Sequence, residues 1–247
     1  MDLLESDLSN VEEVSDVITF DPALTARILK YCNSACFGFA TPVQSVPDAV
    51  HAIGFEALKP MLVTACGSTA FGAVDGEALW RRSLLAAFGS KFVAEEVWEN
   101  SDMIYTAGLL HNSGRLVFVK AHGLSYHQLL AKATLEGVNP LVWEQSTYGI
   151  NYADVSVKLL EHWNFPVAIL DAVRRHLHPL SSEASKSAAC VYLGVMLACV
   201  IDDPRCISWF PEPELEAVMA RLKIQRQDLN HFFQRMKENM NFVEAML

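Results

Sequence analysis

The chain has 247 residues, of which 51% are hydrophobic and 19% charged, a balance that is typical of a compact globular protein and excludes a disordered chain. Its formal net charge of −10 opposes direct binding to nucleic acid, and its densest basic pairs, at 81–82 and 174–175, are too small to reverse that. The longest uncharged runs, 60–74 and 187–201, are shorter than the roughly 20 apolar residues that span a bilayer, so we predict buried helices and no membrane segment.

The N-terminal residues and the cysteines both favour a cytoplasmic location. The chain begins Met-Asp-Leu-Leu-Glu-Ser-Asp, which is acidic where a secretory signal would be basic and then apolar. The six cysteines include no Cys-x-x-Cys pair and no spacing that is typical of a zinc ribbon. We interpret them as buried thiols in a reducing compartment.

Apolar residues recur at helical spacing along nearly the whole chain, and no long alternating run predicts a strand, so the predicted fold class is all-α. Ser9 followed by Glu12 predicts a capping box at the start of the first helix. Asp21 and Pro22 predict the N-cap and the first turn of the second helix. A loop rich in turn-forming residues then leads into a short helix that ends at Gly54.

A stretch rich in Gly, Ser and Thr, residues 67–76, separates these helices from a longer series of predicted helices. Their predicted bounds are 78–98, 102–110, 115–121, 125–136, 140–148, 152–163, 166–176, 185–201, 214–222 and 227–242. Prolines after position 203 predict a break before the last two. The final helix has an apolar stripe that is typical of a helix packed on a core, formed by Leu229, Phe232, Phe233 and Met236.

One segment of the chain has a sequence pattern that is far more distinctive than any other. It reads Asp-Pro-Ala-Leu-Thr-Ala-Arg-Ile-Leu-Lys-Tyr-Cys-Asn-Ser-Ala-Cys-Phe-Gly over 21–38, and Ala-Ile-Gly-Phe-Glu-Ala-Leu follows at 52–58. This pattern resembles the opening of an HDOD domain, a helical signalling module related to the HD metal phosphohydrolases. The matching motif positions are Asp21, Pro22, Asn33, Ser34 and Gly54.

The resemblance implies a multi-helix fold in which a small N-terminal helical bundle packs on an HD-like helical lobe. We assign the N-terminal subdomain to residues 1–75, the HD-like lobe to 76–203 and a C-terminal helical extension to 204–247.

The resemblance also implies where a catalytic HD protein would hold its metal. In such proteins several His residues and two Asp residues converge on one or two metal ions, which supply hydroxide for attack on a phosphate ester. The corresponding positions in this chain are Arg82, His111, Asn112, Tyr152, His176 and Val195. Only two of them keep a ligating His, so we predict a relict site without metal, catalytic residues or cofactor.

Three functions remain open at this stage. The first is a non-catalytic signalling output module that contacts proteins in a bacterial two-component or cyclic di-GMP pathway, for example as the output half of a response regulator. The second is a metal-dependent phosphohydrolase or phosphodiesterase, which would need His178 or His162 to replace a lost ligand. The third is a nucleotide or anion sensor that uses the relict pocket, with candidate contacts from Arg81, Arg82, His111 and His176.

Several of these residues have simpler structural interpretations. Asn33 and Ser34 either satisfy backbone groups at a helix end or take part in recognition. His111, in an apolar run, is interpreted as a hydrogen-bonded core histidine. Arg81 and Arg82 either pair with acidic residues or hold an anion at the mouth of the pocket.

Overall fold

The computed structural model of the protein describes residues 19, 21–33, 39–53 and 76–245. These residues form helices and no strand, which confirms the all-α prediction. None of the described helices is long and apolar enough to cross a lipid bilayer. The predictions for Ser9, Glu12, Ser34 and Gly54, and nearly all of the stretch at 67–76, lie outside the described residues.

The helices are α1 (Pro22–Cys32), α2 (Val46–Ile53), α3 (Gly76–Glu96), α4 (Ser101–Leu110), α5 (Ser113–His122), α6 (Leu124–Glu136), α7 (Pro140–Tyr148), α8 (Tyr152–His162), α9 (Val167–Arg175), α10 (Lys186–Asp202), α11 (Glu212–Leu222) and α12 (Arg226–Ala245). From α3 onward, each end lies within about three residues of its predicted place, as expected for helix ends that fray. A 3-10 helix, Pro204–Trp209, was not predicted. It forms because the Asp203 carboxylate accepts a hydrogen bond from Arg205 N at 3.0 Å and caps the turn.

The N-terminal motif builds a capped helix and a closed loop. Leu24 N donates to Asp21 Oδ1 at 3.0 Å, and Pro22 occupies the first turn of α1, as predicted. After α1, Asn33 Nδ2 donates to Val43 O at 2.8 Å, and Asn33 Oδ1 accepts from Val43 N at 2.9 Å. Asn33 therefore satisfies both backbone groups of one residue and fixes the path of the chain towards α2.

Helix α10 is the centre of the main core. All its residues from Ser187 to Cys199 are buried, and it packs against α3, α9, α11 and the 3-10 helix. Its backbone approaches α3 so closely that a Cβ added at Gly194 would lie 2.4 Å from Ser90 N. The uncharged run at 187–201 therefore belongs to a buried core helix, as predicted.

The C-terminal helices share this core. Phe232 and Met236 from the predicted stripe are fully buried, while Leu229 and Phe233 pack against the same cluster. Helix α12 lies on α3, and α11 lies on α10. The boundary that we set at 203/204 stays a prediction.

A smaller apolar cluster lies between α5, α6 and α8. Its buried members are Phe118, Tyr126, Leu129, Tyr152 and Ala153. Helices α5 and α8 approach so closely that a Cβ at Gly114 would lie 2.2 Å from Tyr152 O. This close approach places the start of α8 directly beside the α4–α5 junction, where His111 lies.

Candidate functional site

A cavity of about 170 Å³ lies between the two apolar clusters. The smaller cluster contributes Tyr152 to its wall, and α10 contributes Val195 and Cys199. The relict positions that line it are Arg82, His111, Tyr152, His176 and Val195. The fold thus brings together most positions that the sequence singled out, although they are up to 113 residues apart (82 to 195).

His111 lies at the end of α4 and is almost completely buried. Its Nδ1 donates to Gly108 O at 2.7 Å, so the neutral ring has its lone pair on Nε2. Burial, and then the neighbouring His176, lower the pKa of His111 well below its usual value. The ring is therefore neutral at pH 7.

His176 has both ring nitrogens in hydrogen bonds. Nδ1 donates to Val173 O at 2.6 Å, and Nε2 accepts from the Tyr152 hydroxyl at 3.0 Å. Burial lowers the pKa of His176 to about 4, so this ring is also neutral at pH 7. Its centroid lies 5.6 Å from that of His111.

Asn112 contacts α3 and is not among the side chains that line the cavity. Its Oδ1 lies 2.8 Å from Ser83 Oγ, which is also 2.9 Å from Leu79 O, while Asn112 Nδ2 is buried without a partner in the described part of the chain. Since Ser83 has one hydroxyl proton, it bonds only one of these oxygens. With the amide turned by 180°, Nδ2 would donate to Ser83 Oγ and the Ser83 proton would serve Leu79 O. In either orientation Asn112 ties the start of α5 to α3.

Arg115 and Glu144 form a buried polar centre that the sequence analysis missed. Glu144 is fully buried; its Oε1 accepts from the Tyr126 hydroxyl and its Oε2 from Tyr152 N, each at 2.7 Å. Arg115 Nε lies 3.4 Å from Glu144 Oε1, and its guanidinium lies 4.4 Å from the centroid of the Tyr152 ring. Burial raises the pKa of both tyrosines, so both hydroxyls stay protonated. This centre links α5, α6, α7 and α8.

Arg81 and Arg82 both pair with the Asp202 carboxylate at the end of α10. Arg82 Nε lies 3.2 Å from Asp202 Oδ2, and Arg81 Nη1 contacts Oδ1. Arg82 lines the cavity, whereas Arg81 does not. The structure therefore gives both arginines an acidic partner, one of the two roles that we considered, and places only Arg82 within reach of a ligand in the cavity.

The donor atoms around the cavity do not fit a divalent metal. Protein metal sites generally use three or four ligands, and here the lone pair of His176 Nε2 is already used by Tyr152. His111 Nε2 is then the one buried imidazole acceptor left, because the other lining histidine, His178, is exposed. Over the described residues, no three His, Cys, Asp or Glu side chains come together in a group able to hold a metal. The Arg82 and Arg115 cations further oppose a metal ion.

Comparison with known sequences gives one family and a distant relative. The sequence profile of the HDOD domain matches residues 1–179. An uncharacterized protein of Treponema pallidum (strain Nichols) is 26% identical over 175 residues, which are 66% of this chain and 33% of that protein. The match thus spans about a third of that relative's length.

Three solved structures have a similar fold. The MmoQ response regulator of Methylococcus capsulatus has 24% identity and a TM-score of 0.72, with 94% of this chain and 92% of that chain covered. A virulence factor of Campylobacter jejuni has 18% identity and a TM-score of 0.67, with coverage of 93% and 89%. An HDOD domain protein of unknown function from Geobacter sulfurreducens has 23% identity and a TM-score of 0.54, with coverage of 98% and 87%. The TM-scores show a shared fold, and at identities this low they show the fold alone.

Proposed function

This chain belongs to the HDOD domain family, and we propose that it is a non-catalytic regulatory module that acts through protein contacts in a bacterial signalling pathway. The observation that carries the proposal is the state of His176, whose two ring nitrogens are both used in internal hydrogen bonds. A histidine held in this way supports the structure of the pocket and has no free lone pair for chemistry.

The chemistry of phosphate ester hydrolysis supports the same conclusion. A phosphohydrolase of this superfamily needs a metal to make hydroxide available near neutral pH. The cavity offers one buried imidazole lone pair, on His111, together with two arginine side chains and a protonated Tyr152 hydroxyl. These groups can hold a polar ligand, but they do not coordinate a metal well, and His111 is the one buried general base with a free lone pair among the lining residues, since Glu214 is only partly buried and His178 is exposed.

The surface of α6 offers a candidate protein contact. Leu124 and Leu135 are 71% and 87% exposed, and eleven residues correspond to about three helical turns, so they lie on one face. Gln128 and Ala131, on the same face, are also exposed and uncharged. We call these four residues the α6 stripe. An uncharged stripe ending in two exposed leucines favours contact with a partner protein over simple solvation.

The kind of pathway that we propose rests on the similarity to a response regulator. A protein named as a response regulator shares this fold over 94% of the chain, which supports a two-component pathway as the place where this module works. Within such a pathway the module would transmit a signal by changing its partner contacts.

Hydrolysis assays test the non-catalytic part of the proposal. We expect no hydrolysis of bis(p-nitrophenyl) phosphate or cyclic di-GMP above background with Mn²⁺, Fe²⁺ or Zn²⁺, and no change in the His111→Ala variant. Turnover that depends on His111 would show that the protein is an enzyme.

Crosslinking in cells tests the contact part. Wild-type protein should crosslink to a defined partner, and Leu124→Glu with Leu135→Glu should reduce that crosslink at least about tenfold, as expected for loss of apolar contacts at an interface core. The control is Val167→Glu, which changes an equally exposed apolar residue on α9. An equal loss in both would show that the α6 stripe is not the contact surface.

A further inference from the structure

Two buried side chains present unpartnered polar groups at the cavity. Arg115 is 6% exposed, and its Nε lacks a hydrogen-bond partner among the described residues, since its approach to Glu144 at 3.4 Å lies outside hydrogen-bonding geometry. Tyr192 is 5% exposed, and its hydroxyl also lacks a partner within the described ranges. Both residues line the cavity. Buried polar groups are almost always hydrogen-bonded, so these two groups favour a polar ligand at the cavity.

Two arginine side chains stand in the cavity wall, Arg82 beside Asp202 and Arg115 beside Glu144. Burial and His176 lower the pKa of His111 most. The guanidinium groups of Arg115 and Arg82 lower it further, because each disfavours a positive charge on the ring. Glu144 balances Arg115 in charge, but its oxygens already accept bonds from Tyr126 and Tyr152. Arg115 is thus paired with Glu144 in charge but makes no hydrogen bond through Nε, and its planar donors match the two oxygens of an oxyanion.

Part of the wall is apolar, and the cavity is small. Trp209 and Phe210 line it, and the Phe210 ring meets Tyr192 edge-on at 5.4 Å between centroids. The volume of about 170 Å³ is below the roughly 300 Å³ at which pockets for drug-sized ligands begin, and an engineered apolar cavity of about 150 Å³ holds one benzene molecule. This size fits a single-ring molecule.

We propose that the cavity binds a small organic oxyanion, whose acidic head contacts Arg115 and Tyr192 and whose apolar body packs on Trp209 and Phe210. Glu214 stands in the same wall and carries the same charge sign as this ligand. Ligand binding here does not depend on the α6 stripe, so this proposal and the partner contact can fail separately.

Isothermal titration calorimetry on the full chain tests the site with four probes: benzoate, phenyl phosphate, inorganic phosphate and benzyl alcohol. We expect saturable binding of benzoate or phenyl phosphate at millimolar or lower concentration, and the stronger of the two identifies the head group. Benzyl alcohol, which has the ring without the charge, should bind at least about tenfold more weakly, because a hydrogen bond to a charged group is stronger than a neutral one. Inorganic phosphate alone should bind more weakly than either ring-bearing anion.

Three variants locate the binding. Tyr192→Phe removes the hydroxyl and should weaken binding of the anion about tenfold. Tyr148→Phe removes a hydroxyl outside the cavity and should leave binding unchanged. Glu214→Gln should tighten binding, because a like charge is lost. Thermal unfolding confirms that each variant is folded.

Four results would overturn the proposal. They are no saturable binding of either ring-bearing anion, equal binding of benzyl alcohol, inorganic phosphate binding as tightly as the ring-bearing anions, and equal effects of Tyr192→Phe and Tyr148→Phe.

Discussion

The interface between α3 and α10 and the polar wall of the cavity lie on either side of α10 and are stabilised in opposite ways. At the interface the backbones nearly touch at Gly194 and the buried residues are small or apolar. At the cavity, Glu144 and Arg115 are buried charges held by the Tyr126 hydroxyl, the Tyr152 backbone N–H and each other. The first region depends on volume, and the second depends on charge pairing and hydrogen bonds. A change of size should therefore damage the first, and a change of charge the second.

The largest effect should come from removing the charge of Glu144. Glu144→Gln keeps the shape but leaves Arg115 as an unpaired buried cation, which we expect to cost about 3–5 kcal/mol of unfolding free energy. Urea denaturation measures it. The matched control is Glu161→Gln, which breaks an exposed pair with Arg174 and should cost less than about 1 kcal/mol. Similar losses in the two variants would mean that the buried centre is not held by charge.

The next effect concerns volume at the α3–α10 interface. Gly194→Ala places a Cβ 2.4 Å from Ser90 N, so backbone must move, and we expect a loss of about 2–3 kcal/mol. Gly149→Ala is the control, because its Cβ meets no atom within 4 Å and only the backbone at φ 70° is strained, at a cost of about 1 kcal/mol. Equal losses of unfolding free energy in the two variants would show that the close contact between α3 and α10 does not determine the cost at Gly194.

A smaller effect should appear in the pH dependence of the free energy of unfolding, through His176 in the cavity wall. The pKa of His176 is lowered to about 4 from the usual value near 6.5, so below pH 6.5 the unfolded chain binds a proton that the folded state does not. Stability from this group is complete above pH 6.5 and falls as the pH drops towards 4, by about 2 kcal/mol at pH 5. His176→Gln keeps an acceptor for the Tyr152 hydroxyl without titrating.

Chemical denaturation at pH 7, 6 and 5 compares the two proteins. The slope of stability against pH should be smaller in His176→Gln by up to about 1.4 kcal/mol per pH unit, the value for one proton. Parallel curves would mean that His176 does not stay neutral in the folded protein.

The same contrast explains what the sequence could predict. Helix α10 is predicted as a buried helix because an uncharged run of this length fits a core. The relict positions come from the resemblance to the HD superfamily, and their assignment stays a prediction, although the fold brings five of them to one cavity. Glu144 was missed, since in Leu-Val-Trp-Glu-Gln it looks like any solvent-facing charge on an amphipathic helix. Its burial depends on Arg115 and Tyr126, which are 29 and 18 residues away.

The position of Arg115 in the sequence does indicate that it lies near the site. It stands three residues after Asn112, so a helix that starts at the His111-Asn112 motif places it one turn away, on the same side. The 3-10 helix and the unpartnered Tyr192 hydroxyl had no such signal, because both depend on how α10 and α11 pack around the cavity.

The measurement that tests the central claim most directly is the metal content of untagged protein purified without chelator, determined by elemental mass spectrometry. Because His176 is committed to Tyr152 and the remaining donors do not form a ligand set, we predict far less than one equivalent of iron, manganese or zinc. About one equivalent that disappears in His111→Ala but persists in His122→Ala, a change of an exposed histidine, would contradict the account and return the site to metal chemistry.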